Sequence, residues 1–239
     1  MSWAFLLLAL AVFVGAAIQG AIGFGFALVA APVMALLHPG SVPVAVICIA
    51  LPMAVVMAVR EGRHIDLHGF VWIVGGRVLG TVVGLWVLVT LPAHDLEATI
   101  GGLILVAVLL SVAGLDVRPT PASTFGAGIV SGVMGTTAAI GGPALAVVYQ
   151  RRPGAELRST LAISFVVGLV LSFSALLLAG EVRGRNVLLG IELLPALALG
   201  LLTSPAVSRR IGAERLRPAV LTFAGAAGAF ICIRALLRG

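Results

Sequence analysis

Six long apolar runs, almost free of charge, constrain this chain more than any other feature; they cover 42–59, 69–90, 97–114, 158–179, 187–207 and 217–237. A helix needs about 20 such residues to cross the hydrocarbon core of a bilayer. The composition agrees. Charged residues make up 10% of the 239-residue chain and hydrophobic ones 61%, where a soluble domain carries about 25% charged residues. So few charges cannot cover a soluble surface, so the solvent for most of the chain is lipid. The expected fold class is all-α: a polytopic integral membrane helix bundle, with residues 1–239 as one transmembrane domain. The N-terminal apolar stretch is expected to stay in the mature protein. It lacks a positive leader and runs past Gly20 without a small-residue cleavage site.

Two apolar stretches do not fit the scheme of single crossings. Residues 3–37 are interrupted by Gly20-Ala21-Ile22-Gly23-Phe24-Gly25 and then by Pro32. Residues 122–149 are interrupted by Gly132, Gly135, Thr136, Thr137, Gly141, Gly142 and Pro143. At about 1.5 Å per residue, each stretch is too long for one crossing and short for two. The expectation is a helical hairpin around a glycine-rich turn, either re-entrant or made of two short crossings.

The two stretches also resemble each other, and further features recur at an offset of 120. Arg63-His64-Ile65-Asp66 falls on Arg183-Gly184-Arg185-Asn186, Gly80 on Gly200, and the polar break Leu91 to Glu97 on Ile211 to Arg217. The loop Asp116-Val117-Arg118-Pro119-Thr120-Pro121 divides the chain near its middle. This predicts two related halves, about 1–116 and 120–239, each a glycine-broken hairpin plus three spanning helices. Internal duplication of this kind is common in secondary transporters.

The net charge of +6 comes from arginine alone. A nucleic-acid binder gathers its charge on one polar face. Here Arg151, Arg152 and Arg158 form one group between apolar runs, and Arg209, Arg210, Arg215 and Arg217 another. That pattern marks cytoplasmic ends of membrane helices. The matching loops of the first half, 38–41 and 91–96, carry no arginine, so the halves are expected to be inverted repeats. Arg234 and Arg238 then fall on the outer side, against the rule. The expected location is the cell inner membrane or plasma membrane, multi-pass. The lipid bilayer and a small anionic substrate are the expected partners, with no nucleic acid; a homo-oligomer is compatible with the sequence.

Glycine and proline interrupt the helical hydrogen-bond ladder, and lipid cannot repair it. Broken backbone inside a membrane protein survives in protein or beside a water-filled cavity, where free N–H groups at half-helix ends suit an anion. The candidate substrate-binding residues are therefore Gly20, Gly23, Gly25 and Pro32 in the first half, with Gly135, Gly141, Gly142 and Pro143 in the second. Gln19, Ser131, Thr136 and Thr137 are the neutral polar neighbours. Tight packing by small residues is the competing reading, and it is the better one for isolated pairs such as Gly80 and Gly84. Arg77 and Glu192 lie inside apolar runs, where charges are costly and usually functional. Arg77 is a candidate to neutralise the anion and Glu192 to carry a coupling proton; alternatively they pair with each other.

Nothing points to a cofactor or metal. His38, His64, His68 and His94 read as solvated loop residues without metal-ligand spacing, and Cys48 and Cys232 as small core residues. No nucleophile triad, phosphate loop or cysteine pair appears, so the chain is not expected to be an enzyme. A secondary permease for a small anion is the first reading. The alternative is a membrane-embedded accessory subunit or an intramembrane enzyme.

Gln19-Gly20-Ala21-Ile22-Gly23-Phe24-Gly25-Phe26 with Pro32, and Gly132-Val133-Met134-Gly135 to Gly141-Gly142-Pro143, resemble the paired glycine–proline motifs of the TauE/SafE family of sulfite exporter-like permeases. The resemblance extends over nearly the whole chain. It implies transport of a small sulfur-containing oxyanion, such as sulfite or an organosulfonate, across the cytoplasmic membrane. The chain departs from the commoner pattern in two places: Thr136-Thr137-Ala138-Ala139-Ile140 precede the second glycine pair, and Phe24 and Phe26 interleave the first motif.

Overall fold

A computed structural model describes residues 2–62, 64–115 and 117–238, and the side chains among them except those of Ala93, His94, Ala213 and Arg238. Arg63 and Asp116 lie outside the described residues, as do the side chains of His94 and Arg238. The chain is all helical among the described residues. In order it forms α1 (Trp3–Ile22), α2 (Phe26–Leu37), a 3-10 turn (Pro39–Ser41), α3 (Val44–Glu61), α4 (Leu67–Thr90) and α5 (Ala93–Val112). Then follow α6 (Pro121–Ala138), α7 (Gly142–Tyr149), α8 (Gly154–Leu178), α9 (Gly184–Glu192), α10 (Leu194–Ile211) and α11 (Ala213–Arg238).

All six apolar runs are helical, with one correction. The run 187–207 is divided at Leu193, because Pro195 enters α10 in its first turn and has no N–H to continue the ladder. Counting α9 and α10 as one, seven segments among the described residues are long and apolar enough to cross a membrane. One of them is α1, the first arm of the first hairpin; α6, the first arm of the second, is not among them. Each hairpin has a long arm and a short one: α1 with 20 residues beside α2 with 12, and α6 with 18 beside α7 with 8.

Local chemistry places both breaks. The last turn of α1 closes on Gly23, which is left-handed and donates to the Gln19 carbonyl. The last turn of α6 closes in the same way on Ala139, with φ of 59°. A left-handed residue there satisfies the carbonyls a helix end leaves open. Five of the expected breakers do not break anything: Pro32 sits inside α2, and Gly132, Gly135, Thr136 and Thr137 sit inside α6. His68 lies in the first turn of α4 rather than in a loop.

Helices from different halves make the closest pairs: α4 with α6, α1 with α10, α3 with α8 and α5 with α11. Along α4 and α6 the backbones touch. A Cβ on Gly80 would stand 2.1 Å from the Ile129 carbonyl oxygen, and one on Gly128 2.4 Å from that of Ile73. Small residues allow this approach, and dispersion holds it where lipid offers no hydrophobic driving force.

One end of the bundle joins α3 to α8 through Glu61 and Arg158, and α5 to α11 through Arg217, which donates to the Ser111 carbonyl at 2.8 Å. Asp66 caps α4 there and accepts from Tyr149 Oη at 2.9 Å, tying α7 to α4. Burial alone would raise the Asp66 pKa; the Gly69 N–H, the Tyr149 hydroxyl and Arg152 outweigh it and hold it below its ordinary value. At the opposite end Asn186 Nδ2 donates to the Gly40 carbonyl at 2.8 Å, and Arg234 pairs with Glu97 at 2.9 Å.

Gly80→Val should be among the most damaging single changes in the chain. Its methyl groups meet backbone rather than movable side chains, so the loss should reach the upper part of the ~1–3 kcal/mol range for overpacking. Thermal unfolding in detergent checks it; a wild-type midpoint would show that α4 and α6 are not in backbone contact.

Candidate anion site

The two breaks border one cavity, with about 70 Å³ open to water centres. The first break supplies Gln19, Gly23 and Gly25 to its wall, and the second Gly135, Gly141, Gly142 and Pro143. Met53 and Met57 of α3 and Phe165 and Leu169 of α8 complete a largely apolar lining. About 10–15 Å³ of such space holds one water, so the cavity takes roughly five waters or an anion of about four or five heavy atoms.

Both short helices begin at this wall. Gln19 clamps the first break: its Oε1 accepts from the Phe26 N–H at 3.1 Å and its Nε2 donates to the Gly23 carbonyl at 3.0 Å. At the second break no side chain caps the start of α7. The positive ends of two helix dipoles are thus directed at one space.

Arg77 reaches the same cavity from α4, and its residue is 2% exposed. Nη1 donates to Ser131 Oγ at 2.6 Å, and Ser131 Oγ donates to the Gly141 carbonyl at 2.7 Å. The guanidinium is therefore fixed to the second break through one hydroxyl. Glycines leave it room: a Cβ on Gly168 would fall 1.7 Å from Nε, and one on Gly135 2.8 Å from Nη2. Nε is buried without a partner. Among the described residues no carboxylate pairs with Arg77. A hydrogen bond from a charged group contributes about 1.5–3 kcal/mol, against an insertion cost of ~2.5–3.5 kcal/mol for arginine at a helix centre. Ser131 can hold the side chain in place; it cannot neutralise it.

Other candidates lie elsewhere. Thr136 bonds Ser172 at 2.8 Å, Thr137 donates to the Gly84 carbonyl at 3.1 Å, Gly20 packs on Ser204, and Pro32 is buried inside α2. The pairing of Arg77 with Glu192 is not formed. Glu192 is exposed at the end of α9, in a separate depression with His38 and Arg185, because the helix break at Leu193 ends α9 there. Two residues of the site escaped the sequence reading: Gly168, which lies behind the cavity wall and makes room for the guanidinium, and Arg158 in the wall itself. The spacing Thr160, Ser164, Gly168, Ser172 is the signal for the first, a stripe of small and hydroxylic residues on one face of an otherwise apolar α8.

Paired broken helices around a buried charge, within a bundle of membrane-spanning length, define a membrane transporter rather than a simple helix bundle. The family profile described as Sulfite exporter TauE/SafE matches residues 7–231. The chain belongs to this family. No curated protein and no solved structure matches it.

Gly168→Ala should displace the guanidinium while leaving a folded protein, since the added methyl meets the flexible end of a side chain. Small oxyanions should raise the unfolding temperature of the wild type and should no longer do so in this variant. An unchanged thermal shift across an oxyanion panel would show that the Arg77 position does not matter for binding.

Proposed function

We propose that this protein is a secondary transporter for a small sulfur-containing oxyanion, bound at Arg77 between the two glycine breaks. The carrying observation is the buried guanidinium, anchored by Ser131 and lacking a carboxylate partner among the described residues. Its missing counter-charge is the substrate. The start of α7 and the Gly141-Gly142 backbone supply further donors. Cavity size favours an ion such as sulfite over a longer organosulfonate, which would require the walls to part. No nucleotide-binding motif is present in the sequence, so an ion gradient, the membrane potential or the substrate gradient drives transport.

We infer further that the halves, about 1–116 and 120–239, are inverted repeats. The packing supports this: α1 lies parallel to α10, with Gly20 at Ser204 and Gly200 at Phe13, and α6 parallel to α4, with Gly76 at Phe125 and Gly84 at Val133. Exchanging the halves exchanges these two pairs and maps the α3–α8 and α5–α11 pairs onto themselves. The end holding Arg60, Arg118, Arg152, Arg158, Arg209 and Arg217 is cytoplasmic by the positive-inside rule, in the inner or plasma membrane. Arg234 no longer opposes this. It donates to the Ala35 and Leu36 carbonyls and pairs with Glu97, so it caps α2 rather than serving as a loop charge. The cavity extends to the partly exposed Arg158 at that same end, which supports reading this as an inward-facing state.

Arg77→Gln should reduce radiolabelled sulfite flux in proteoliposomes at least ~30-fold, from the loss of at least about 2 kcal/mol when one partner of a buried charge pair is removed. Arg77→Lys should keep a fraction, having the charge without the planar fork. Normal flux in folded Arg77→Gln removes the anion from this site. Orientation is tested separately, in a background with Cys48 and Cys232 replaced by alanine. Ser208→Cys should resist, and Ala179→Cys accept, a membrane-impermeant thiol reagent applied to intact cells; the reverse pattern inverts the topology.

A further inference from the structure

We propose that Arg158 is an outer anion station in the same cavity, and that Glu61 is its exchangeable counter-ion. The proposal rests on the reading that Arg77 holds the transported anion. Arg158 and Arg77 are the two arginines in the cavity wall. Arg77 is 2% exposed, whereas the Arg158 side chain is 42% exposed, so the two mark the depth and the mouth of one space. Arg158 belongs to the mouth by packing as well. A Cβ on Gly23, in the first break, would stand 3.4 Å from its Cγ. Its Nε lies 2.9 Å from Glu61 Oε2, and Glu61 is not part of the cavity wall. Arg158 thus borders the cavity while its Nε pairs with a carboxylate outside the cavity wall.

The backbone around this pair is held independently of the charges. The Ser159 hydroxyl donates to the Glu61 carbonyl, and the Thr160 hydroxyl accepts from the Asp66 N–H at 3.0 Å. Opening the ion pair therefore leaves α3 and α8 joined. Exposed ion pairs are weak because water competes for both partners, so an arriving anion can take the place of the Glu61 carboxylate. The exchange serves transport in both directions. Arg158 raises the local anion concentration at the mouth. Glu61 returns to Arg158 as the anion moves on, which keeps the outer station from trapping it. Conduction through successive sites requires this balance between capture and release.

The test uses full-length protein in proteoliposomes, with sulfite as the probe. Initial rates are measured over sulfite concentration and ionic strength for wild type, Glu61→Gln, Arg158→Gln, Arg158→Lys and the double change Glu61→Gln with Arg158→Gln. Arg158→Gln should raise KM about tenfold, because Glu61 then stands unscreened at the mouth, and should flatten the salt dependence of KM. Arg158→Lys should recover most of the loss. Glu61→Gln should lower KM and also lower the maximal rate, because the anion leaves Arg158 more slowly. The double variant should have a lower KM than Arg158→Gln alone. A merely structural pair predicts something else: both single variants lose stability and rate, KM does not fall in Glu61→Gln, and the double variant recovers nothing. That result, or an unchanged KM in Arg158→Gln, overturns the proposal. The inner site is judged apart from it by equilibrium sulfite binding to Arg77→Gln. Normal binding there removes Arg77 from the site, while the KM shifts at Arg158 and Glu61 still decide the outer station.

Discussion

A full positive charge held inside an apolar bundle, with a hydroxyl as its side-chain partner, sets most of what surrounds it. The guanidinium of Arg77 is wide, planar and permanently charged. Three backbones come near it without side chains, at Gly135, Gly141 and Gly168. Ser131 joins it to the turn between α6 and α7, so the charge and the broken helix form one unit. The open ladder of that turn and the unpaired charge need the same kind of partner. An anion with several oxygens satisfies both at once, through N–H donors on one side and the guanidinium on the other.

The first break is built differently. Gln19 spends both ends of its amide on the turn itself, where the second turn uses Ser131 and leaves the start of α7 uncapped. The two breaks are therefore held by different means. One break is closed by its own side chain and shapes the mouth with Gly23 and Arg158; the other is left open beside Arg77.

Much of this was legible in the sequence. Twenty-residue apolar runs can satisfy their backbone in lipid in few ways, so helices were readable almost to their ends. Glycine clusters located both turns, and the rarity of intramembrane charge singled out Arg77. Three things were not readable. The unequal arms of each hairpin depend on which glycine adopts the left-handed cap, and Gly20, Gly23 and Gly25 look alike until the chain is folded. Gly168 is isolated in sequence, and its role exists because α8 crosses α4 at the level of Arg77. Glu192 lies in an apolar run as Arg77 does; the helix break beside it leaves the carboxylate exposed in a depression apart from the Arg77 cavity, which the sequence alone does not separate.

The glycine contacts between α4 and α6 restrict how this molecule can move. Side-chain packing can slide by changing rotamers, but two backbones in direct contact have no such freedom. Gly76, Gly80 and Gly84 lie on α4 and Gly128 and Gly132 on α6, so this fused pair takes one member from each half of the sequence. The parallel pair of α1 and α10, joined through Gly20 and Gly200, does the same. The rigid parts of the machine are then not the two halves of the gene product. They are two chimeric blocks, each carrying one turn and one long helix borrowed from the other half, and the middle of the sequence is not the mechanical hinge.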